Sequence, residues 1–397
     1  MQLRISEAEY ARRRKDLLNQ LAQNGQDGVL LFGTNNMFYL SAFAMIPTER
    51  PMAYVLNGSG RSALLVPRLE QEHAEENALV DIVRSYPEYP GERHPMQFLA
   101  DLVKELGMGS ARIGVDGDGY GAIYGYRGPR LSDALPEAKV TSVRDIIEDM
   151  QMVNSPEEIA LVRESTRWAN LAHRLLQDYC RDGVTENEVS SRASYEATQT
   201  MIKTLGKDYR PLSSGRAGAS AGFRGQIGKA SALPHAITSN AVMRRGDVLV
   251  TGAGASVWGY SCELERTMIL GEPNRDQAQY FQHMLNVQNI ALEAIRPGIP
   301  CADVDKAVLR YFEANNLQST WRHHTGHAKS TQVHEAPFLD RGDQRIIKVG
   351  MIFTVEPGIY VNGLGGFRHS DTVAVTETGI EMLTFYPRDL ESLSIPA

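Results

Sequence analysis

Short apolar runs, separated by glycine-rich or charged turns, recur along the first part of the chain. Runs of four or five apolar residues predict buried strands, and the charged segments between them have helix-forming composition. Residues 57–60, Asn-Gly-Ser-Gly, lie between two such runs and predict a hairpin. Strands that alternate with helices predict an α/β domain over residues 1–150. The candidate strands are residues 28–32, 53–56, 62–66 and 112–115, and the candidate helices are residues 6–23 and 95–106.

A different pattern begins near residue 154. Residues 154–158, Asn-Ser-Pro-Glu-Glu, combine a capping side chain, a proline in the first turn and acids at the positive end of the helix dipole. They predict a long amphipathic helix to about Cys180, and Thr185 begins a second one in the same way. We expect strands separated by glycine residues to follow, and these strands should carry most of the histidines. We therefore expect a second domain, of α+β type, at residues 151–397.

Composition narrows the range of partners. The net charge, 41 − 48 = −7, argues against a general nucleic-acid or anionic-membrane binder. The cysteines, Cys180, Cys262 and Cys301, are odd in number and form no Cys-x-x-Cys pair, which fits a reducing compartment. Neither a signal-peptide pattern nor an apolar run of membrane-spanning length is visible. We expect a cytoplasmic protein whose partner is a small molecule, with no nucleic acid and no membrane.

Two carboxylates form the first candidate for chemistry. The apolar run 248–250 predicts a strand, and Glu263 and Glu265 follow two positions apart. Residues two apart in a strand share a face, with Leu264 and Arg266 on the other side. Two like charges side by side are costly unless a cation, a metal or a proton lies between them. On residues alone, an exposed strand paired with lysines is the ordinary alternative.

Four motifs further along the chain bear on the role of these carboxylates. Gly326-His327, His334-Glu-Ala-Pro337, Thr354-Val-Glu356-Pro-Gly358 and Gly365-Gly-Phe-Arg368-His-Ser-Asp371 occur in a fixed order. Together with the helix start at residue 154, they resemble the pita-bread family of aminopeptidase P, prolidase and creatinase over residues 155–390. The resemblance implies an α/β N-terminal domain, an α+β pita-bread C-terminal domain (the creatinase/aminopeptidase fold) and a homodimer.

The ligand positions of that family are incomplete in this chain. Its metallopeptidases hold two metal ions with two Asp, one His and two Glu, and those positions correspond here to Gly252, Glu263, His327, Glu356 and Ser370. Glycine supplies no ligand and serine is a poor one. The resemblance therefore implies no two-metal site. We expect no cofactor or, as an alternative, one divalent ion (Mn or Zn) held weakly by Glu263, His327 and Glu356.

Other residues resemble the members that work without metal. The run Leu264-Glu-Arg-Thr267 and the position of His235 are similar to creatinase, and ectoine hydrolase is a second such member. We therefore predict a metal-independent hydrolase that cleaves a C–N bond of a small amidine, guanidino or amide compound. The predicted catalytic residues are His235 as general acid/base, His327, His334, Glu263, Glu265 and Glu356. The predicted substrate-binding residues are Arg368, Arg50, His369 and Tyr260, although an aromatic such as Tyr260 is more often a core residue.

Two alternatives remain open. One is an Xaa-Pro dipeptidase or aminopeptidase with a reduced metal site. The other is a non-catalytic pita-bread binding protein, against which the many titratable groups in one place argue. The glycine-rich residues 214–222 lack the Gly-Lys-Ser/Thr ending of a phosphate loop and predict a loop that shapes the pocket.

Overall fold

The chain folds into two compact units. The computed structural model describes residues 2–121, 125–212 and 218–396. One unit is formed by Ile5–Gln151, and the other by the chain from Met152 onward with residues 2–4. Among the residues that the structure describes, none of the helices combines the length and apolar character that crossing a bilayer requires.

The N-terminal unit is built on one mixed sheet. Its helices are α1 (Glu7–Gln23), α2 (Thr34–Ser41), α3 (Gln71–Asn77), α4 (Pro95–Glu105), α5 (Leu131–Ala134) and α6 (Arg144–Gln151). Its strands are β1 (Gly28–Leu31), β2 (Ala53–Asn57), β3 (Ser62–Pro67), β4 (Ile82–Tyr86), β5 (Arg112–Val115) and β6 (Lys139–Ser142). They are ordered β4-β3-β2-β1-β5-β6. The predicted hairpin is confirmed, because β2 and β3 pair antiparallel across residues 57–60.

Side chains that alternate along the strands of this sheet pack into two apolar cores. Val29 and Leu31 of β1 pack in a cluster with Leu17 of α1, whereas Leu30 packs in a second cluster with Leu99 of α4. Both faces of the sheet are therefore covered, which explains why its strands are continuous apolar runs. The expected α/β layer is confirmed.

The C-terminal unit is of α+β type, as expected. Its helices are α7 (Pro156–Tyr179), α8 (Glu186–Leu205), α9 (Arg275–Ala294), α10 (Cys301–Ala314) and α11 (Leu390–Leu393). Its strands are β7 (Ala219–Gly222), β8 (Val248–Val250), β9 (Gly252–Val257), β10 (Tyr260–Ser261), β11 (Thr267–Leu270), β12 (Gly326–Ala328), β13 (Glu335–Leu339), β14 (Ile352–Val355), β15 (Gly358–Val361), β16 (Gly365–Arg368), β17 (Asp371–Thr376), β18 (Gly379–Met382) and β19 (Ser394–Ile395).

Reciprocal caps start the first two helices of this unit. Ser155 accepts a hydrogen bond from the Glu158 amide while the Glu158 carboxylate accepts one from the Ser155 amide, and Thr185 and Glu188 repeat the arrangement. Such capping boxes satisfy backbone N–H groups that a helix leaves unpaired at its start. Both predicted helix starts are confirmed.

Four segments of this unit converge. Strands β13-β12-β14-β17-β18 form one antiparallel sheet, and β15 pairs with β16 beside it. The extended stretch 263–266 connects to both β9 and the segment between β16 and β17, since Leu264 bridges Ala253 and Glu265 bridges Ser370. The ends of β12, β14 and β16 thereby meet the two glutamates of this stretch.

Candidate active site

Residues 263–266 present alternate side chains to two environments. Glu263 and Glu265 line the same cavity, which has a volume of about 730 Å³. Leu264 and Arg266 are completely buried on the other side, where Arg266 Nη2 lies 2.8 Å from Asp371 Oδ1. The two carboxylates therefore share a face, as alternation along a strand requires.

Arg266 anchors this stretch from behind. Its guanidinium donates to the carbonyl oxygen of Pro387 at 2.8 Å, of Tyr386 at 3.0 Å and of Ser370 at 3.1 Å. The Asp371 carboxylate supplies the counter-charge. A buried guanidinium with every direction occupied fixes the backbone on which the two glutamates stand.

The carboxylate of Glu265 forms an ion pair with an arginine of the same chain. Arg368 Nε and Nη2 donate to the two Glu265 oxygens at 2.5 and 2.8 Å, and Arg368 is only 2% exposed. We call these two residues the guanidinium pair. Burial alone would lower the pKa of Arg368, but the Glu265 carboxylate offsets it and raises that pKa well above its ordinary value. Arg368 was predicted to bind a substrate carboxylate, whereas here its guanidinium is occupied by Glu265.

The guanidinium pair does not neutralise the whole site. Burial raises the pKa of Glu265 to about 7 against the attraction of Arg368, and the charges of Glu263 and Glu356 add to the rise. Arg224 contributes a further contact, from Nη2 to Glu265 Oε1 at 3.2 Å. Three carboxylates thus meet in one place, and one buried guanidinium cannot balance them.

A second group of ionisable side chains lies next to the guanidinium pair. Glu263, His327 and Glu356, which we call the ligand cluster, offer one atom each, and these atoms all lie within 4.8 Å of one another. His327 Nδ1 lies 2.9 Å from the carbonyl oxygen of Ala328, so this nitrogen is the donor and Nε2 carries the lone pair of the neutral ring. Nε2 is buried 3.2 Å from Glu356 Oε1 and has no hydrogen-bond partner among the described residues.

The ligand cluster fits a divalent metal ion. An imidazole lone pair facing two carboxylates is repulsive unless a cation lies between them, and one nitrogen with carboxylate oxygens suits Zn or Mn. The alternative cation is a proton on His327. Burial lowers the pKa of His327, but Glu356 and Glu263 outweigh it and raise that pKa. Burial would raise the pKa of Glu356, yet His327 and Arg368 lower it to about 2.

Two more histidines border the cluster. The exposed ring of His334 stacks on His327 with centroids 4.0 Å apart. His323 Nδ1 lies 2.8 Å from the carbonyl oxygen of His324, and its Nε2 lies 2.8 Å from Tyr360 Oη. Burial lowers the pKa of His323 to about 4, so the ring is neutral near pH 7. The Tyr360 hydroxyl therefore donates to His323.

Several predicted site residues lie elsewhere. His235 is exposed in the loop after residue 232 and does not line the cavity. His369 is completely buried and packs edge-on against Phe281. Tyr260 is buried too, and its hydroxyl donates to Glu158 at 2.9 Å. The structure shows packing partners for His369 and Tyr260, and their predicted substrate contact stays a prediction.

Arg50 belongs to the N-terminal unit. Its guanidinium contacts Glu49 and Glu88 there, at 2.5 and 2.6 Å. Its predicted substrate contact stays a prediction, as does the catalytic role of His235.

Sequence reasoning missed two cations of the cavity, Arg224 and Lys329. Lys329 lies two positions after His327, and that spacing was the available signal. Nothing in the sequence singles out Arg224. Of the glycine-rich stretch predicted to shape the pocket, residues 214–217 lie outside the described residues, and 219–222 line the cavity as β7.

Comparisons with known proteins agree with the fold. The model of metallopeptidase family M24 matches residues 160–377, and that of the creatinase/prolidase N-terminal domain matches residues 13–153. The Xaa-Pro dipeptidase of Pyrococcus furiosus is 26% identical over 379 residues, which are 95% of this chain and 99% of that relative.

Solved structures show the same likeness. The prolidase from Pyrococcus horikoshii OT3 has a TM-score of 0.79 at 25% identity and covers 96% of this chain and 99% of its own. The dipeptidase PepE from Mycobacterium ulcerans has a TM-score of 0.83 at 26% identity and covers 99% of this chain and 100% of its own. The pita-bread resemblance is therefore confirmed.

The comparisons also correct two predictions. A creatinase-like hydrolase of amidine or guanidino compounds was wrong, because the relatives are dipeptidases and prolidases. In physical terms, Arg368 already occupies the guanidinium-binding face of Glu265. The expectation of no cofactor was wrong as well, because the family is one of metallopeptidases and three ligand atoms converge at the site. The chain is a C–N hydrolase that belongs to metallopeptidase family M24.

Proposed function

We propose that the chain is a dipeptidase that hydrolyses Xaa-Pro dipeptides with a single divalent metal ion held by the ligand cluster. The observation that carries the proposal is the buried Nε2 of His327, which faces Glu263 and Glu356 and makes no hydrogen bond within the described part of the chain. An orphaned buried nitrogen is costly, and a metal ion would satisfy it. The names of the relatives support the substrate class.

The charge of the site favours one ion over two. The guanidinium of Arg368 lies beside the ligand cluster, with its Nε 3.9 Å from Glu356 Oε2. A second divalent ion next to the ligand cluster would lie close to the positively charged guanidinium of Arg368, which would repel it. Gly252 and Ser370 also offer no carboxylate there.

The chain's own residues then complete the reaction. Glu263, His327 and Glu356 would hold the divalent ion, which would supply polarisation of the scissile carbonyl and a water of lowered pKa. In the metal-free site, burial raises the pKa of Glu265 to about 7, which suits a group that takes the proton from the attacking water and delivers it to the leaving nitrogen. Arg368 keeps Glu265 in place and donates to Tyr360 Oη at 3.1 Å. The Tyr360 hydroxyl proton is directed to His323, so this chain of hydrogen bonds orients Arg368.

Metal content and turnover test the proposal separately. Wild type, His327→Ala and the matched control His73→Ala, an exposed histidine of the N-terminal unit, would be loaded with Mn²⁺ or Zn²⁺. Mass spectrometry of the metal should find one ion per chain in wild type and control, and none in His327→Ala. Hydrolysis of Ala-Pro should stop with a chelator and return with metal. Two ions per chain, or full activity in chelator, would contradict the proposal.

The resemblance also implies assembly and location. We expect a homodimer, which light scattering on a sizing column would check. The cysteine usage fits a cytoplasmic protein, which fractionation of the source cells would check.

A further inference from the structure

The cavity beside the ligand cluster contains a buried cation without a counter-ion. Lys329 lines the cavity and is only 5% exposed. Its Nζ donates one hydrogen bond, to the carbonyl oxygen of Gln332 at 3.3 Å, and it pairs with no carboxylate among the residues that the structure describes. An ammonium has three donors and is expensive to bury unpaired. A ligand with an anionic group would supply the missing counter-charge of Lys329.

Arg224 is a second, independent cation of the same cavity. Its backbone has φ of +52°, in the left-handed region that residues with side chains rarely adopt. The buried carboxylate of Glu186 holds this turn, because it accepts from the amides of Gly225 and Ser239 at 2.7 Å each. A strained conformation that is fixed by its surroundings is typical of functional positions.

The guanidinium of Arg224 retains free donors. Nη2 donates to Gln226 Oε1 at 3.3 Å and to Glu265 Oε1 at 3.2 Å. Nε and Nη1 have no acceptor among the described residues, and the side chain is 52% exposed at the cavity. A planar anion can therefore still reach this fork.

We propose that Lys329, with Arg224 as a second contact, binds a carboxylate of the substrate and so makes the enzyme select dipeptides with a free acid group. A carboxylate fits better than a phosphate dianion, because Glu263 and Glu265 line the same cavity and repel additional negative charge. The inference rests on the proposed function and names the chemistry of its substrate. The carboxylate is either the C-terminal one or that of an acidic side chain.

Three compounds separate these sources. They are Ala-Pro, Ala-prolinamide and Glu-prolinamide, assayed on metal-loaded wild type, Lys329→Met, Lys329→Arg, Arg224→Met and the control Lys203→Met, an exposed lysine of α8. Wild type and control should prefer Ala-Pro to Ala-prolinamide by about 10- to 100-fold in kcat/KM, the range of a charge-assisted contact. Lys329→Met should lose that preference mainly through KM, and Lys329→Arg should restore part of it. Arg224→Met should show a smaller loss of the same kind.

A gain for Glu-prolinamide over Ala-prolinamide in wild type, lost in Lys329→Met, would assign the contact to the side-chain carboxylate and still support the proposal. An unchanged preference in Lys329→Met would overturn it. A raised melting temperature in Lys329→Met would show that this variant folds, since it removes an unpaired buried charge.

Direct binding keeps this test separate from that of the proposed function. Calorimetry with L-proline and L-prolinamide needs no turnover. If the protein hydrolyses none of the compounds but binds proline more tightly than prolinamide, and Lys329→Met loses the difference, the dipeptidase proposal fails and the carboxylate site stands. Equal binding of both compounds by wild type, without any preference in turnover, would refute the carboxylate site.

Discussion

Two acidic groups lie side by side in this site and are neutralised in different ways. In the guanidinium pair, Glu265 is satisfied by Arg368 from within the chain. In the ligand cluster, Glu263 and Glu356 face Nε2 of His327, which forms no hydrogen bond with the residues that the structure describes. The first carboxylate already has its cation and the second group lacks one. The comparison shows that acids two residues apart can be neutralised differently, one by a cation of the chain itself and the other by a cation that has to be bound.

The largest expected effect comes from breaking the guanidinium pair. Glu265→Gln leaves the Arg368 guanidinium buried without its counter-charge, which should lower the free energy of unfolding by about 3–5 kcal/mol. Urea denaturation of the metal-free protein measures this. The double variant Glu265→Gln/Arg368→Met removes both charges and should recover much of the loss. A single variant as stable as wild type would show that the pair contributes no net stability.

The matched change in the ligand cluster should act on metal binding instead. Glu263→Gln removes a charged ligand, so the affinity for Mn²⁺ or Zn²⁺ should fall by more than about 100-fold, beyond the usual effect of residues that only support ligands. Titration calorimetry against each ion gives the affinity. The metal-free variant should keep its stability, since a repelling carboxylate is removed. Equal metal affinity in Glu263→Gln and wild type would assign the site to other residues.

The pH dependence of stability separates the two groups further. The pKa of Glu356 is lowered from its ordinary value of 4.5 to about 2, so the ionised form is favoured in the folded state. This contribution is complete above about pH 4.5 and is lost as the pH falls toward 2. Metal-free wild type should therefore melt several degrees above Glu356→Gln near pH 6. The difference in melting temperature should shrink as the pH falls through 4.5. A difference that stays constant with pH would argue against the lowered pKa of Glu356.

The smallest effect should come from the contact that supports Glu263. Ser370 Oγ donates to Glu263 Oε1 at 2.9 Å and fixes its orientation. Ser370→Ala should weaken metal binding by about tenfold, as expected for a group that orients a ligand. The same calorimetric titration reports it. A loss as large as that of Glu263→Gln would indicate that Ser370 is itself a ligand.

Local rules predicted much of this molecule. The capping boxes at residues 155 and 185, the hairpin at 57–60 and the shared face of Glu263 and Glu265 all depend on residues a few positions apart. Each follows from backbone geometry that the sequence specifies directly.

The partners of these side chains were not predictable in the same way. Arg368 pairs with Glu265 across 103 positions, and only the tertiary fold shows that its guanidinium is occupied. The expectation of no cofactor failed because it counted the ligands lost at Gly252 and Ser370. The three remaining ligands entered only as the alternative, because the sequence does not show that their atoms converge within 4.8 Å. The sequence also did not show the burial of the histidines near these motifs, since His235 is exposed and His369 is completely buried.

The anchoring of Arg266 has a practical consequence for anyone who alters the end of the chain. Two of its acceptors are the carbonyl groups of Tyr386 and Pro387, close to the C-terminus. Deleting the last dozen residues, or straining them with a short affinity tag, would free a buried guanidinium directly behind Glu265. An N-terminal tag leaves that anchor intact and is the better choice for measuring metal stoichiometry.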